Sequence, residues 1–188
     1  MDTYKIIISG FGGQGILLMG KLLTYAANSM GKHTSWLPSY GPEMRGGSAN
    51  CMVVISDKPI NSPLVSEPTT LVALNRPSLD RFEPKIKKRG SLFINEGAIN
   101  REIARKDIDV IKVPADTIAY KLGSNKVVNM LMLGAYLGYT ELIPLEIVVD
   151  ALKKMIPQHR CHLLALNEEA LKEGYKIGSE NIISARGN

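Results

Sequence analysis

The sequence is poor in cysteine and lacks any cysteine spacing that could hold a metal cluster. Its two cysteines, Cys51 and Cys161, form no CxxC motif and are too few for an iron–sulfur cluster. We expect no metal in the QHRCHL segment either, because the adjacent Cys161 and His162 point in different directions and no carboxylate completes a set with His159. Any redox centre that works with this chain therefore belongs to another chain.

The sequence also lacks a long hydrophobic run and a nucleic-acid-binding pattern. Its longest apolar helical stretch, Val127 to Tyr139, is shorter than the roughly 20 residues needed to cross a bilayer, and no signal peptide precedes the first apolar run. Aromatic residues make up 6% of the chain, and the basic residues behind the net charge of +5 are not interleaved with them. We therefore expect a cytoplasmic protein without membrane or nucleic-acid partners, whose charge favours acidic partners.

Short runs rich in isoleucine and valine predict six strands. They are Lys5–Ser9, Thr34–Leu37, Asn50–Ser56, Thr70–Leu74, Ser91–Asn95 and Asp109–Val113. Most of these runs are apolar throughout rather than alternating, which predicts that both faces of the sheet are covered. The first helix leads directly into the second strand, which is the βαβ start of a parallel sheet.

The remaining segments are predominantly helical. The segment 77–88 is predicted to be an exposed basic helix or an irregular crossover, and four helical patterns follow from Ala115 onward. With 188 residues, the chain is long enough for one such domain. The sequence therefore predicts an α/β domain: a Rossmann-like or flavodoxin-like open, mostly parallel sheet with helices on both faces and a helical C-terminal part. We expect one domain over residues 1–178 and a loose tail over 179–188.

The first strand runs into a glycine-rich turn, GFGGQG, that opens a helix. Gly10, Gly12 and Gly15 match the G-x-G-x-x-G dinucleotide motif, but the acidic ribose contact expected about 20 residues later is missing at the end of the second strand. A phosphate-binding loop of the Walker type is rejected because Leu22 stands where a hydroxyl must follow Lys21. Two interpretations stay open: an anion or cofactor site, or glycines that only let the helix pack closely.

Two further parts of the turn and its surroundings suit an anion site. Gln14 would add a donor and an acceptor to the backbone N–H groups at the helix start. The long loop after the second strand contains Glu43 and Arg45, followed by Gly46 and Gly47, and should lie beside the glycine turn at the carboxyl edge of a parallel sheet. Arg45 is then placed to meet a phosphate or carboxylate, or the Glu43–Arg45 pair fixes the loop or a partner chain.

Four segments, which together span nearly the whole chain, carry a resemblance to a known family. They are GFGGQGILLMGKLL, PSYGPEMRGGSANCMVVISDKPINSPLV, VPADTIAYKLGSNKVVNMLMLGAYLG and LNEEALKEGY, in this order. In these segments the chain resembles the gamma subunit of 2-oxoacid:ferredoxin oxidoreductases. The PEMRGG loop is far more specific to that family than the glycine turn.

The resemblance implies an accessory role. Such enzymes convert a 2-oxoacid and coenzyme A into acyl-CoA and carbon dioxide while reducing ferredoxin, with thiamine diphosphate and iron–sulfur clusters held by the other subunits. The implied partners are alpha and beta subunits, with a ferredoxin-like delta subunit in some complexes, and ferredoxin indirectly. This chain is expected to hold no tightly bound cofactor and no catalytic residue, and to border the coenzyme A site. The implied edge is formed by Gly10, Gly12, Gly13, Gln14, Gly15, Arg45, Gly46 and Gly47.

Three alternatives stay open beside this interpretation. The related indolepyruvate enzymes have a similar domain, an independent Rossmann-type nucleotide-binding module would share the turn, and a scaffold of the same complex would leave the turn without a ligand. The helix around Asn129 is apolar on nearly every side, so it is buried in the core or at a subunit interface. An isolated gamma chain is expected to expose apolar surface and to self-associate.

Overall fold

The computed structural model describes residues 3–40 and 47–186, except for the side chains of 159, 160 and 183–186. Its strands are β1 (Thr3–Phe11), β2 (His33–Tyr40), β3 (Ser48–Ser56), β4 (Thr70–Ala73), β5 (Ser91–Asn95) and β6 (Asp109–Val113). Its helices are α1 (Ile16–Ser29), α2 (Arg76–Phe82), α3 (Ala115–Lys121), α4 (Val128–Thr140), α5 (Leu145–Met155) and α6 (Leu164–Arg186). All six predicted strands and the four C-terminal helices are present.

The six strands form one sheet in the order β2-β3-β1-β4-β5-β6. Strands β1, β4, β5 and β6 pair in parallel, whereas β3 pairs antiparallel with both β1 and β2. The prediction of a mostly parallel sheet is confirmed, but the expected βαβ start is modified, since β3 lies between β1 and β2. The connection from β2 to β3 is too short for a crossover, and a connection of that length joins antiparallel strands.

Helices cover both faces of the sheet, as predicted. Alternation along β1 sends Ile6 and Ile8 into the core under α1, α4, α5 and α6, whereas Ile7 faces the opposite core under α2. Both sets are fully buried, which explains why the strand sequences are apolar throughout. Within residues 3–40 and 47–186, no helix combines the length and apolarity required for a membrane span.

The segment predicted to be an exposed basic helix is only partly exposed. Its helical part is α2, followed by a 3₁₀ turn at Glu83–Lys85. Leu79 and Phe82 are buried in the core on that face of the sheet, and Arg81 and Lys85 lie over the Phe82 ring. Arg81 and Lys85 therefore cover the buried Phe82 ring, although the basic character of the segment predicted an exposed helix.

Helix α4 is buried on all sides and packs against α6 through glycines. Gly134 and Gly138 on α4 face Gly174 and Gly178 on α6, and a Cβ atom added at any of them would lie closer than 3.0 Å to backbone atoms of the other helix. The contacts advance in the same direction along both helices, so the helices are parallel. The helix around Asn129 thus lies in the core, which was one of the two predicted alternatives.

The C-terminal segment differs from the expected loose tail. Helix α6 continues to Arg186, so residues 179–186 are helical. Gly178 lies against Ala135 of α4, and the Ser179 hydroxyl donates to the Gly138 carbonyl. These contacts with α4 explain why the helix extends beyond its apolar pattern.

The two cysteines differ in accessibility, and thiol titration checks this difference. Cys51 is fully buried beneath α1, and this burial raises the pKa of its thiol to about 12, whereas Cys161 is exposed. Because the thiolate is the reactive form, we expect Ellman's reagent to modify Cys161 alone in the native protein and both cysteines in denaturant. A Cys161→Ser variant should show no native reaction within minutes, and a fast native reaction of that variant would contradict the buried position of Cys51.

Candidate functional site

The glycine turn connects the carboxyl end of β1 to the start of α1. Gly13 and Gly15 have φ values of 97° and 75°, a backbone conformation that side chains rarely adopt. Gly15 is the residue before the first helical residue, Ile16. The turn therefore requires glycine at these two positions for its backbone shape, whether or not a ligand binds there.

Two glycines of the turn leave space that neighbouring side chains already fill. A Cβ atom at Gly10 would meet the Gln14 amide oxygen and the Ile16 side chain, and a Cβ atom at Gly15 would meet the Asn129 amide. At Gly13, by contrast, an added Cβ atom would meet nothing within 4 Å. Of these three glycines, only Gly13 faces open space that a ligand could occupy.

Gln14 closes the turn through its own side chain. Its amide oxygen accepts a hydrogen bond from the Phe11 N–H at 2.7 Å, while its backbone N–H donates to the Phe11 carbonyl at 3.2 Å. The acceptor that we considered for ligand binding is therefore used within the turn. The amide nitrogen of Gln14 is the part of this side chain left for a ligand.

The start of α1 carries positive character. Among residues 3–40 and 47–186 no side chain caps the helix, its first turn contains no acidic residue, and Met19 is the first residue whose N–H donates within the helix, to the Gly15 carbonyl at 3.0 Å. The N–H groups of Ile16, Leu17 and Leu18 precede that bond. Such N–H groups, together with the helix dipole, suit an anion.

A cavity of about 600 Å³ lies beside this helix start. Its lining is mainly apolar and comes from the glycine turn, the first turn of α1, and the facing ends of β2 and β3. Phe11, Trp36 and Tyr40 supply aromatic surface, and Tyr40 is 58% exposed. An elongated ligand with a charged group and an apolar arm fits such a lining.

Gly47, the residue before β3, lies next to the glycine turn, because Phe11 pairs with Ser48 across β1 and β3. The Gly12 N–H donates to the Gly47 carbonyl at 2.8 Å, which joins the two segments directly. Glu43, Arg45 and Gly46 lie outside the described residues, so their predicted roles stay predictions. Sequence reasoning did not select Phe11, Trp36 and Tyr40, although aromatic residues at strand ends beside a glycine turn were an available signal.

Asn129 supports the turn from the core side. It is 4% exposed, and its amide nitrogen lies against Gly15, while its amide oxygen has no hydrogen-bond partner in the described part of the chain. The apolar helix α4 thus presents one polar residue directly behind the start of α1. In this position Asn129 fills the space that the missing Gly15 side chain leaves.

Comparison with known proteins gives one family. Residues 5–177 match the family described as pyruvate ferredoxin/flavodoxin oxidoreductase. Among solved structures, the gamma subunit of a keto/oxoacid ferredoxin oxidoreductase from Geobacter sulfurreducens aligns with a TM-score of 0.79 and 27% identity, covering 93% of this chain and 98% of that one. The fold predicted from the sequence is thereby confirmed.

Two curated relatives illustrate different lengths within this group. Subunit KorC of 2-oxoglutarate synthase from Methanocaldococcus jannaschii is 34% identical over 181 residues, 94% of both chains. Subunit VorA of ketoisovalerate oxidoreductase from Methanothermobacter thermautotrophicus is 39% identical over 180 residues, 95% of this chain but 37% of that one. The chain thus spans about a third of the length of the ketoisovalerate relatives that it matches.

Proposed function

The chain belongs to the pyruvate ferredoxin/flavodoxin oxidoreductase family, and on that premise we propose that it is the accessory gamma subunit of a heteromeric 2-oxoacid:ferredoxin oxidoreductase in the cytoplasm. The complex converts a 2-oxoacid and coenzyme A into acyl-CoA and carbon dioxide, with the electrons passing to ferredoxin. The 34% identity to KorC, a subunit of 2-oxoglutarate synthase, supports the assignment as a subunit. An independent nucleotide-binding module gains no support from the glycine turn, since β2 ends without an acidic ribose contact.

In this proposal the redox chemistry takes place on partner chains. Thiamine diphosphate and iron–sulfur clusters are held by alpha and beta subunits, with a ferredoxin-like delta subunit where one is present. No cluster of three or more His, Cys, Asp or Glu side chains suited to a metal occurs within the part of the chain that the structure describes. Phe11, Leu18 and Tyr40 expose apolar surface around the cavity, which suits contact with those partners, and we expect the isolated chain to self-associate through it.

The single observation that carries the ligand proposal is the cavity at the uncapped start of α1. We place a phosphate group of coenzyme A at the N–H groups of Ile16, Leu17 and Leu18, with Arg45 of the neighbouring loop as a second contact. The pantetheine or adenine part then lies along Phe11 and Trp36. The full proposed edge comprises Gly10, Gly12, Gly13, Gln14, Gly15, Arg45, Gly46 and Gly47, of which Gly10 and Gly15 act through packing.

Replacing Gly13 tests this site in the assembled enzyme. Gly13→Val places a branched side chain in the open space beside the start of α1, and we expect the Michaelis constant for coenzyme A to rise about tenfold or more, with that for the 2-oxoacid unchanged. The measurement is steady-state kinetics of the complex, co-expressed and purified with its partner subunits. Size-exclusion chromatography confirms that assembly is intact.

Gly31→Val is the matched control. Gly31 also has a positive φ, 76°, and also faces open space, but it lies after the other end of α1. Both variants therefore carry similar backbone strain, and only Gly13→Val affects the proposed site. Equal coenzyme A constants for the two variants and the unmodified complex would assign the glycine turn a purely structural role, whereas failure of the chain to assemble into an active complex would overturn the subunit assignment itself.

A further inference from the structure

A smaller cavity, of about 200 Å³, adjoins the start of α4 and is separate from the cavity at the glycine turn. Leu18 lines both cavities and no other described residue does, so the first turn of α1 lies between them. The other walls of the smaller cavity come from the segment 124–127, the start of α4, the end of α5 and the start of α6. We refer to it as the α4 cavity. Pockets for drug-sized ligands usually measure ~300–1,000 Å³, so a ligand of the α4 cavity is smaller than these.

Asn129 is the buried polar residue of the α4 cavity. It lies in the first turn of α4, lines the cavity and is 4% exposed. Its amide nitrogen lies against Gly15, and its amide oxygen accepts no hydrogen bond from residues 3–40 or 47–186. A buried oxygen without a donor is costly, so a ligand that brings an N–H or O–H group to Asn129 gains a hydrogen bond that the described chain does not supply.

The charges of the α4 cavity favour an anion. Lys126 lines it and is exposed, and none of the ion pairs among the described residues includes this lysine. Among the described residues of the lining, none is acidic. The N-terminus of α4 also faces the cavity through Val127 and Asn129, and the first turn of this helix contains no acidic residue. The positive end of the helix dipole and the lysine together suit a carboxylate.

The rest of the α4 cavity is mainly aliphatic. Leu18 of α1, Leu152 and Met155 of α5, and Leu163 and Leu166 at the start of α6 supply this surface. Burial of an aliphatic chain against them is favourable in proportion to the area removed from water. The lining therefore suits a ligand with one anionic group, one hydrogen-bond donor and a short aliphatic chain.

We propose that the α4 cavity binds a small aliphatic 2-amino or 2-hydroxy acid. The carboxylate lies between Lys126 and the N-terminus of α4, the ammonium or hydroxyl group donates to the Asn129 amide oxygen, and the aliphatic chain lies among the leucines. Lys126 and Asn129 are three positions apart and share one helical face, so the anionic group and the donor of the ligand are neighbours. This site is separate from the proposed coenzyme A phosphate site and does not depend on it.

Four probes with one carbon skeleton test the proposal on the full-length chain. They are L-leucine, L-2-hydroxy-4-methylpentanoate, 4-methyl-2-oxopentanoate and 4-methylpentanoate, of which only the first two carry a donor at carbon 2. We expect at least one of these two to bind about tenfold or more tightly than both probes without a donor, because only they can pair with the Asn129 oxygen. NMR titration measures the affinities, and the side-chain amide signals of Asn129 should shift. The tighter of the two donor probes identifies the ligand class.

Two variants separate the two polar contacts. Asn129→Leu keeps a similar side-chain volume but removes the acceptor, so the donor probes should lose their advantage over the other two. Lys126→Met keeps the aliphatic stem but removes the charge, so every carboxylate probe that binds should weaken about threefold or more. Lys121→Met is the matched control, because it removes an exposed charge outside the cavity and should leave the affinities unchanged. Circular dichroism checks folding, and Lys126→Met tests the site even if Asn129→Leu unfolds the chain.

Three results would overturn the proposal. Equal binding of the four probes, or binding of none, would show that Asn129 selects no donor and would leave its oxygen to a buried water. Equal losses of affinity in Lys126→Met and Lys121→Met would reduce the charge effect to the net charge of the chain. Displacement of the bound probe by coenzyme A, with a shift of the Asn129 amide signals by coenzyme A alone, would assign the α4 cavity to the coenzyme A site.

Discussion

Gly174→Val is expected to lower the free energy of unfolding by at least about 4 kcal/mol, or to prevent folding altogether. A Cβ atom at Gly174 would overlap the Leu131 carbonyl group of α4, and the obstacle is helix backbone rather than a side chain that could rotate. Helices α4 and α6 would have to separate along their whole glycine contact. That contact joins the most buried helix of the protein to its longest one. Urea unfolding followed by circular dichroism measures the loss.

Lys176→Val on the same helix is the control. Lys176 is exposed, so this change tests only the lower helix propensity of valine and the loss of a surface ion pair with Glu173, and it should cost far less stability than Gly174→Val. Gly174→Ala gives an intermediate test: alanine stabilises an ordinary exposed helix position relative to glycine, but here it should destabilise the fold. A stabilising effect of Gly174→Ala would contradict the close approach of the two helices.

Part of this architecture could be predicted from the sequence, because burial leaves a local pattern. The apolar runs of β1 and β3 indicated a sheet covered on both faces, and the three- and four-residue spacing after Gly15 indicated α1. The position of β3 between β1 and β2 could not be deduced from that pattern. It depends on the short connection between β2 and β3, and a parallel and an antiparallel strand have similar apolar runs.

The contact between α4 and α6 was missed for a different reason. The four glycines have the G-x-x-x-G spacing on both helices, from Gly134 to Gly138 and from Gly174 to Gly178, which is a known signal for close helix packing. Both stretches were predicted only as helical patterns, and the predicted loose tail begins directly after Gly178. Pairing two such motifs requires knowledge of which helices are neighbours.

The candidate site could be predicted only to the level of its backbone. The glycine spacing marked the turn, but it did not separate Gly13, which faces open space, from Gly10 and Gly15, whose missing side chains leave room for Gln14 and Asn129. That distinction depends on what packs behind the turn. Phe11 lies within the glycine motif and was overlooked, whereas Trp36 lies on a strand far from the glycines in sequence, and only the order of strands in the sheet brings it to them.

The second large effect is expected at Glu83, a buried carboxylate in the segment predicted to be exposed. Glu83 lies in the 3₁₀ turn after α2 and is 2% exposed. Its carboxylate accepts three hydrogen bonds, from the Arg101 guanidinium and from the backbone N–H groups of Ala104 and Arg105. Glu83 thereby anchors the segment 101–105. Removal of this buried carboxylate is costly because all of its donors lose their acceptor at once.

Glu83→Ala is therefore expected to lower the free energy of unfolding by about 3 kcal/mol. Asp80→Ala removes the other carboxylate that contacts Arg101, but Asp80 is half-exposed, so its loss should cost less than about 1 kcal/mol. Hydrogen exchange of the Ala104 and Arg105 amides should accelerate in Glu83→Ala and stay slow in Asp80→Ala, because only Glu83 accepts from them. Equal losses of stability in the two variants would show that the ion pair with Arg101, rather than the backbone contacts of Glu83, holds this segment against α2.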